Sequence, residues 1–379
     1  MRIAQPIDGE ASTKVSWHFG RPALAEHYYN LLFDSGIRRL ALFGRRRIGK
    51  TEFLLQDLVP LAQQKSTGTL YCSLWENKDS PQSSLIQALL QATKTKGAQG
   101  SSMKGRLQLS LPDMAEAEIE VERAQHPKAA TTSELSQLTA SWREWLKQRG
   151  TKPVLVIFDE IQHLASSARF ATLAATLRTL LDMAPANVRV IFTGSSHADL
   201  HRLFTNNKAP FFQFADIVPF QPMSHDFVQH LEGIFQRITS LVLPSDSLGK
   251  LFELTDRNAH VITGLTQRLV IFRTTDVEGM WQDIADNLVG PEGWCEQRWG
   301  QLSSSDRTVY LQLLREQEPF SEASLKVYAL ASFSRATAQK ALLRLENKGL
   351  ISRLGHGQYL REVSMLDLWI RDQKILVKK

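Results

Sequence analysis

Apolar residues recur at two spacings through the first part of the chain and at one spacing after it. Residues 22–35 place Leu24, Tyr28, Leu31 and Leu32 three and four apart, a helix that Gly36 ends. Arg39–Phe43 is a short apolar strand met at once by Gly44, and 51–63 is a helix burying Leu54, Leu55, Leu58 and Leu61. A second strand over 69–74 precedes a helix over 81–93 with Ser80 as its cap. Residues 94–133 break this rhythm. There Leu107, Leu109 and Leu111 alternate with polar residues, and Ala117, Ile119 and Val121 with glutamates, which predicts an amphipathic hairpin inside an insert rich in small residues.

Helix resumes at 134–148. The run 154–158 is continuously apolar, follows Pro153 and ends in two acids, as a strand buried on both faces does. A helix over 167–183, a strand over 188–193 and a last strand near 212–218 complete the unit. Strands alternating with helices predict an α/β fold with a parallel sheet. From Ser224 the strand pattern stops, and 224–300 reads as all-helical. From Ser303 three helices lead into a hairpin over 350–361 turning at Gly355, His356 and Gly357. The expected domains are therefore 1–223, 224–300 and 301–379.

Composition narrows the class. With 379 residues, 43% hydrophobic and 22% charged, the chain has room for two or three cored domains and is neither wholly disordered nor a coiled coil. Two cysteines, Cys72 and Cys295, build no disulfide framework. No apolar run is long enough to span a membrane, and residues 1–10 lack the apolar core of a secretory peptide, so a cytoplasmic protein is expected.

The net charge of +6 becomes informative once it is placed along the chain. Residues 301–379 hold 13 Lys+Arg against 8 Asp+Glu, nearly all of the surplus. Residues 38–50 hold Arg38, Arg39, Arg45, Arg46, Arg47 and Lys50 with no acid. Two basic patches on a near-neutral background point to phosphate partners, nucleotide or nucleic acid.

The second patch contains a full phosphate-loop pattern. Gly44, Arg45, Arg46, Arg47, Ile48, Gly49, Lys50 and Thr51 match G-x-x-x-x-G-K-[ST], after an apolar strand and before an amphipathic helix. Gly44 and Gly49 let backbone N–H groups fold inward around an anion, Lys50 reaches the β- and γ-phosphates, and the Thr51 hydroxyl binds Mg²⁺. The arginines occupy variable positions, where side chains point to solvent while the backbone binds. The strand ending in Asp159–Glu160 supplies a carboxylate for Mg²⁺ (Asp159) and a base that orients and deprotonates water (Glu160). Beyond the next strand, Ser195 and Ser196, with Thr193 behind them, are candidates for contact with the γ-phosphate or the water.

The C-terminal pattern of three helices and a hairpin predicts a winged helix-turn-helix. Its third helix, from Ser334 as cap to Gly349, buries Ala338, Ala341, Leu342 and Leu345. A polar stripe of Arg335, Thr337, Lys340, Arg344 and Lys348 is the candidate DNA-binding face. Winged helices also serve as protein-interaction modules, so a protein partner stays open beside double-stranded DNA.

These motifs, with the segments at 19–32, 158–164, 191–196 and 215–231, resemble the archaeal-type ATPase family of the STAND branch of P-loop ATPases, related to AAA+ proteins. The resemblance implies an ATP- and Mg²⁺-dependent ATPase core, a helical lid and a winged helix that often binds DNA. It departs from the family at 206–214, where an expected Arg is missing and Lys208 or Arg202 is the nearest candidate. It departs again at 256–264, where His260 and Arg257 are the only lid candidates. The readings this leaves are an ATPase or nucleotide switch on DNA, with nucleotide-dependent self-assembly; a regulatory scaffold gripping a protein; and an AAA+ initiator or transposition-type loader.

Overall fold

The computed structural model describes residues 15–44, 47–94, 128–195, 200, 203–255, 257–289, 294–353, 358–361, 366–367 and 369–370. Its centre is a five-stranded parallel sheet in the order β2-β3-β4-β1-β5, formed by β1 (Arg39–Phe43), β2 (Gly68–Ser73), β3 (Val154–Asp159), β4 (Val188–Gly194) and β5 (Asp216–Pro219). Side chains alternate across a strand, so each strand divides its residues between two cores. Val154, Val156 and Phe158 of β3 join Val190 and Phe192 of β4 under α3 (Pro81–Lys94), α4 (Thr132–Arg149) and α5 (Ala171–Asp182). Leu155 and Ile157 join Leu40, Leu42 and Ile191 on the other face, under α1 (Pro22–Phe33) and α2, a helix over 50–64. Every residue of β3 is buried, which is why its sequence reads as a continuous apolar run rather than an alternation.

Three local departures from the sequence pattern have identifiable causes. The helix over 50–64 contains a π turn, Leu54–Leu58, between Lys50–Phe53 and Val59–Gln64. Pro60 offers no N–H to the Gln56 carbonyl, and the wider turn, closed by the Val59 N–H on the Leu54 carbonyl, accommodates it. The expected helix at 167 starts only at Ala171, after short 3-10 turns at Ile161–Ala165 and Ala168–Phe170. The last strand lies at Asp216–Pro219 instead of 212–218, because Phe211 and Phe214 turn into the core against Phe192. Arg39 and Arg178 stack over the Phe214 ring at 3.8 and 3.9 Å. The hairpin expected around 107–121 lies outside the described residues.

A helical region follows: α6 (His225–Thr239), α7 (Ser247–Leu254), α8 (Ala259–Phe272) and α9 (Val277–Val289) around a core of Phe227, Leu231, Phe235, Phe252, Ile262 and Leu265. Val15, Trp17 and Phe19 pack against this core, although they precede the sheet in the chain. Next, α10 (Trp294–Gly300) contributes Cys295 and Trp299 to the C-terminal core, so that unit extends before residue 301. The C-terminal unit continues through α11 (Ser304–Leu314), α12 (Glu322–Leu330), α13 (Arg335–Asn347) and the antiparallel pair β6 (Ile351–Arg353) and β7 (Tyr359–Arg361). Ser303, Ser321 and Ser334 each accept an N–H as the N-cap of their helix, and Gly349 at φ 66° ends α13. Among the described residues no helix is long and apolar enough to cross a membrane.

Candidate nucleotide site

The carboxyl ends of β1, β3 and β4 converge, and the predicted phosphate loop spans the gap from β1 to α2. Gly49 sits at φ 86° and Arg47 at φ 65°, both left-handed, as a backbone folded into an anion-binding nest requires. Gly44 is closed in: a Cβ there would lie 2.4 Å from Ile48 Cδ1 and 3.3 Å from Phe220 Cβ. Helix α2 begins at Lys50 and directs its N-terminal dipole end at the loop. The buried Lys50 ammonium donates to the Gly44 carbonyl at 2.5 Å, lying across the cradle that the loop forms. Arg45, Arg46 and Ser196 lie outside the described residues.

Asp159, at the end of β3, is buried and collects three hydroxyl donors. Thr51 Oγ1 donates to its Oδ2 at 2.7 Å, Tyr71 Oη to the same oxygen at 2.8 Å, and Thr193 Oγ1 to Oδ1. Burial first, and the Asp159 charge next, push the Tyr71 phenol strongly up, so it remains a donor. Glu160 follows at φ 57°, a strained left-handed position for a non-glycine residue, with its N–H 3.3 Å from Thr193 Oγ1. That turn points its carboxylate along the strand ends, where Ser195 Oγ donates to Oε2 at 2.7 Å and Gln162 Nε2 donates to the same atom.

The donor set fits Mg²⁺. Thr51 and Asp159 offer adjacent hard oxygens, and among the described residues no cluster of three or more His, Cys, Asp or Glu suits a softer or fully protein-caged metal. These two residues would hold the ion, with phosphate oxygens and water completing its shell.

The structure thus brings Gly44, Gly49, Lys50, Thr51, Asp159, Glu160 and Ser195 together. It redirects Ser195, whose hydroxyl holds Glu160 rather than standing open to a phosphate. Tyr71 and Gln162 escaped the sequence reading. Tyr71 could have been found two residues before Ser73, which pairs with Asp159 in parallel register, and Gln162 lies in the 158–164 segment already singled out. On the helical side, His260 is partly buried and pushed down to about 4, by burial first and then by the charge of Arg47. Arg257, by contrast, is engaged with Glu253 at 2.9 Å.

The polar stripe on α13 is partly engaged within the C-terminal unit. The Arg344 guanidinium turns inward to Asp306, with Nε at 2.9 Å and Nη2 at 2.6 Å from Oδ1, because Asp306 is buried and needs a cation. Lys348 leans toward the Gln301 carbonyl at 3.4 Å, Thr337 sits at the Ser334 cap, and Arg335 lies over the Phe320 ring at 5.0 Å. The exposed residues of α13 are Arg335, Ala336, Gln339, Lys340, Leu343 and Asn347, while Thr337, Arg344 and Lys348 of the expected set are partly buried.

Residues 35–203 match the family of AAA domains. The AAA match runs from just before β1 to past β4 and includes the phosphate loop, Asp159, Glu160 and Ser195. A Walker-type ATPase of Pyrococcus abyssi has a similar structure at 17% identity and TM-score 0.59, covering 93% of this chain and 96% of that one. Weaker likenesses are to the Orc1 protein of Aeropyrum pernix in complex with DNA (12% identity, 97% and 96% covered, TM-score 0.44) and to AMPPCP-bound DnaA of Aquifex aeolicus (14%, 97% and 99%, 0.40). No curated protein matches the sequence. The core has the α/β fold of P-loop NTPases, followed by a helical region.

Proposed function

We propose that the protein is a Mg²⁺-ATP-dependent ATPase or nucleotide switch whose core is coupled to DNA through a C-terminal winged helix. The observation that carries the nucleotide part is the convergence of Gly44, Gly49, Lys50 and Thr51 with Asp159 and Glu160 at the carboxyl ends of β1 and β3. Backbone N–H groups of the loop and the Lys50 ammonium bind the β- and γ-phosphates. Thr51 and Asp159 would hold Mg²⁺, which when bound neutralises charge on those phosphates. Glu160 orients a water and takes its proton. Ser195 and Gln162 set the direction of the Glu160 carboxylate, because both donate to its Oε2. Lys50→Ala is expected to lose ATP binding, whereas Glu160→Gln keeps binding and loses turnover.

The DNA part is supported by the three-helix and hairpin arrangement of the C-terminal unit and by its basic surplus. If about four to five phosphates are neutralised, affinity for duplex falls with a log–log salt slope of roughly −4. A second reading has its own observation: Leu330 is 87% and Leu343 57% exposed on the same unit, while Arg344 is drawn inward. That pattern favours a protein partner on the winged helix, with the core acting as a slow nucleotide-bound scaffold. Salt-dependent duplex binding, measured together with particle size in ATP, ADP and no nucleotide, separates the two. Absence of duplex binding at low salt in all three states selects the scaffold, and growth in size with ATP alone marks self-assembly.

A further inference from the structure

Residues 15–21 lie between the phosphate-loop helix and the helical region, and their side chains divide between the two. Val15, Trp17 and Phe19 pack into the helical core, with the Phe19 ring 5.9 Å from Phe227 and 5.5 Å from His230, both on α6. The residue between the two aromatics faces the opposite way. His18 Nδ1 lies 3.3 Å from Glu52 Oε1 and Nε2 3.0 Å from Asp57 Oδ1, both on the helix that opens at the phosphate loop. An imidazole can donate to two carboxylates through both nitrogens only when both carry protons, so this geometry requires the imidazolium. The two carboxylates differ in how much they depend on it. The Glu52 side chain is 44% exposed, whereas that of Asp57 is 7% exposed. The other oxygen of Asp57 is buried with no hydrogen-bond partner among the described residues.

Further along, Arg21 closes the segment onto the junction with the helical region. Its Nη2 donates to the Gln221 carbonyl at 2.8 Å, and its guanidinium lies 4.9 Å over the Phe220 ring. The segment therefore has aromatic anchors in one body and a partly buried cation against the other. We propose that His18 is a positioning residue that pins the helix of the phosphate loop to the helical region, so that loop and helical region move together when nucleotide binds. The proposal rests on the nucleotide reading of residues 44–51. The lever is short: Glu52 directly follows Thr51, and the Gly49 carbonyl accepts the Phe53 N–H at 2.9 Å. Any shift of the loop's first helical turn is carried along that helix, past Glu52, to the buried Asp57 and through His18 to Trp17 and Phe19. Removing the imidazolium strips the buried Asp57 carboxylate of its hydrogen-bonded cation, which favours parting of the strap from the helix.

The test is amide hydrogen exchange on the full chain, with and without Mg²⁺ and ATP, in wild type, His18→Gln, Asp57→Asn and Glu52→Gln. Without nucleotide, His18→Gln is expected to speed exchange of α6 by about tenfold while the amides of β3 stay unchanged. With ATP, wild type gains protection both at 47–53 and in α6 and α8. His18→Gln and Asp57→Asn keep the first gain and lose the second. Glu52→Gln behaves like wild type, because its carboxylate is already half in water. Equal exchange of α6 and α8 in wild type and His18→Gln, with and without ATP, overturns the proposal. If wild type shows no ATP-dependent protection anywhere, the nucleotide reading fails, and the nucleotide-free comparison still decides the role of His18. Should His18→Gln not fold, Asp57→Asn carries the same comparison while preserving the shape of the buried side chain.

Discussion

Replacing Arg344 by Ala is expected to destabilise the C-terminal unit more than it weakens any DNA contact. The guanidinium makes two hydrogen bonds to Asp306 Oδ1, at 2.9 and 2.6 Å, and a third to Ser305 Oγ at 3.0 Å. Asp306 is 3% exposed, and its second oxygen accepts the Ser303 N–H at 3.2 Å as part of a capping box. Breaking a fully buried pair costs about 3–5 kcal/mol, because a charge is stranded out of water. Arg344 is 42% exposed and the carboxylate keeps its cap bond, so water and Ser303 offset part of that loss. About 2 kcal/mol remains. For a unit of this size each kcal/mol lowers Tm by roughly 4–8 °C, so a drop of about 10 °C in the transition of this unit is predicted. Calorimetry of Arg344→Ala, Asp306→Asn and the double variant reads this, and the coupling energy of the cycle should be about 1–2 kcal/mol. An unchanged Tm together with a large loss of duplex affinity would refute the reasoning and return Arg344 to the DNA-binding face.

The remaining predictions concern the nucleotide core and its strap. Burial acts to lower the pKa of His18, but hydrogen bonds and charges from Asp57 and Glu52 outweigh it and hold it at about 9 instead of 6.5. A raised folded pKa means the stabilisation is complete below pH 6.5, falls as pH rises toward 9 and is absent above it. Denaturant titrations should therefore show a loss of about 3 kcal/mol across that window, which His18→Gln removes. Ser195→Ala and Gln162→Ala should each change kcat by about tenfold with KM for ATP unaltered, since both act on Glu160 and not on the cradle. A change in KM alone would instead return Ser195 to the phosphate. Gly49→Ala forces a side chain into φ 86° with its Cβ 2.8 Å from Met223 Cε, so a stability loss of about 1–2 kcal/mol and weaker ATP binding are expected in thermal melts and titrations.

The sheet was legible because burial on both faces leaves a strong mark: 154–158 reads as one apolar run, and the residues on either side of it fall into two cores. The phosphate loop was legible because its chemistry fixes residue types at fixed spacing. Long-range polar choices were not. Nothing local in the sequence says that Tyr71 reaches Asp159, that Ser195 turns to Glu160, or that His18 meets two carboxylates on a helix more than thirty residues away. The side-chain direction of Arg344 on α13 was hidden for a related reason. Helical periodicity places Arg344 on a face, but the buried carboxylate of Asp306, thirty-eight residues earlier, decides where its side chain goes. The sequence pattern likewise placed Phe214 in a strand near 212–218, whereas aromatic packing against Phe192 and Phe211 curls it into the core.

ATP binding to the wild-type chain and to Lys50→Ala, measured by titration calorimetry in Mg²⁺ buffer, tests the central claim most directly. The account predicts one site per chain for wild type and loss of binding by at least about a hundredfold for Lys50→Ala, the cost of removing a charged donor from a buried phosphate site. Equal affinity in the two proteins would contradict it and place the nucleotide, if any, away from the 44–51 loop.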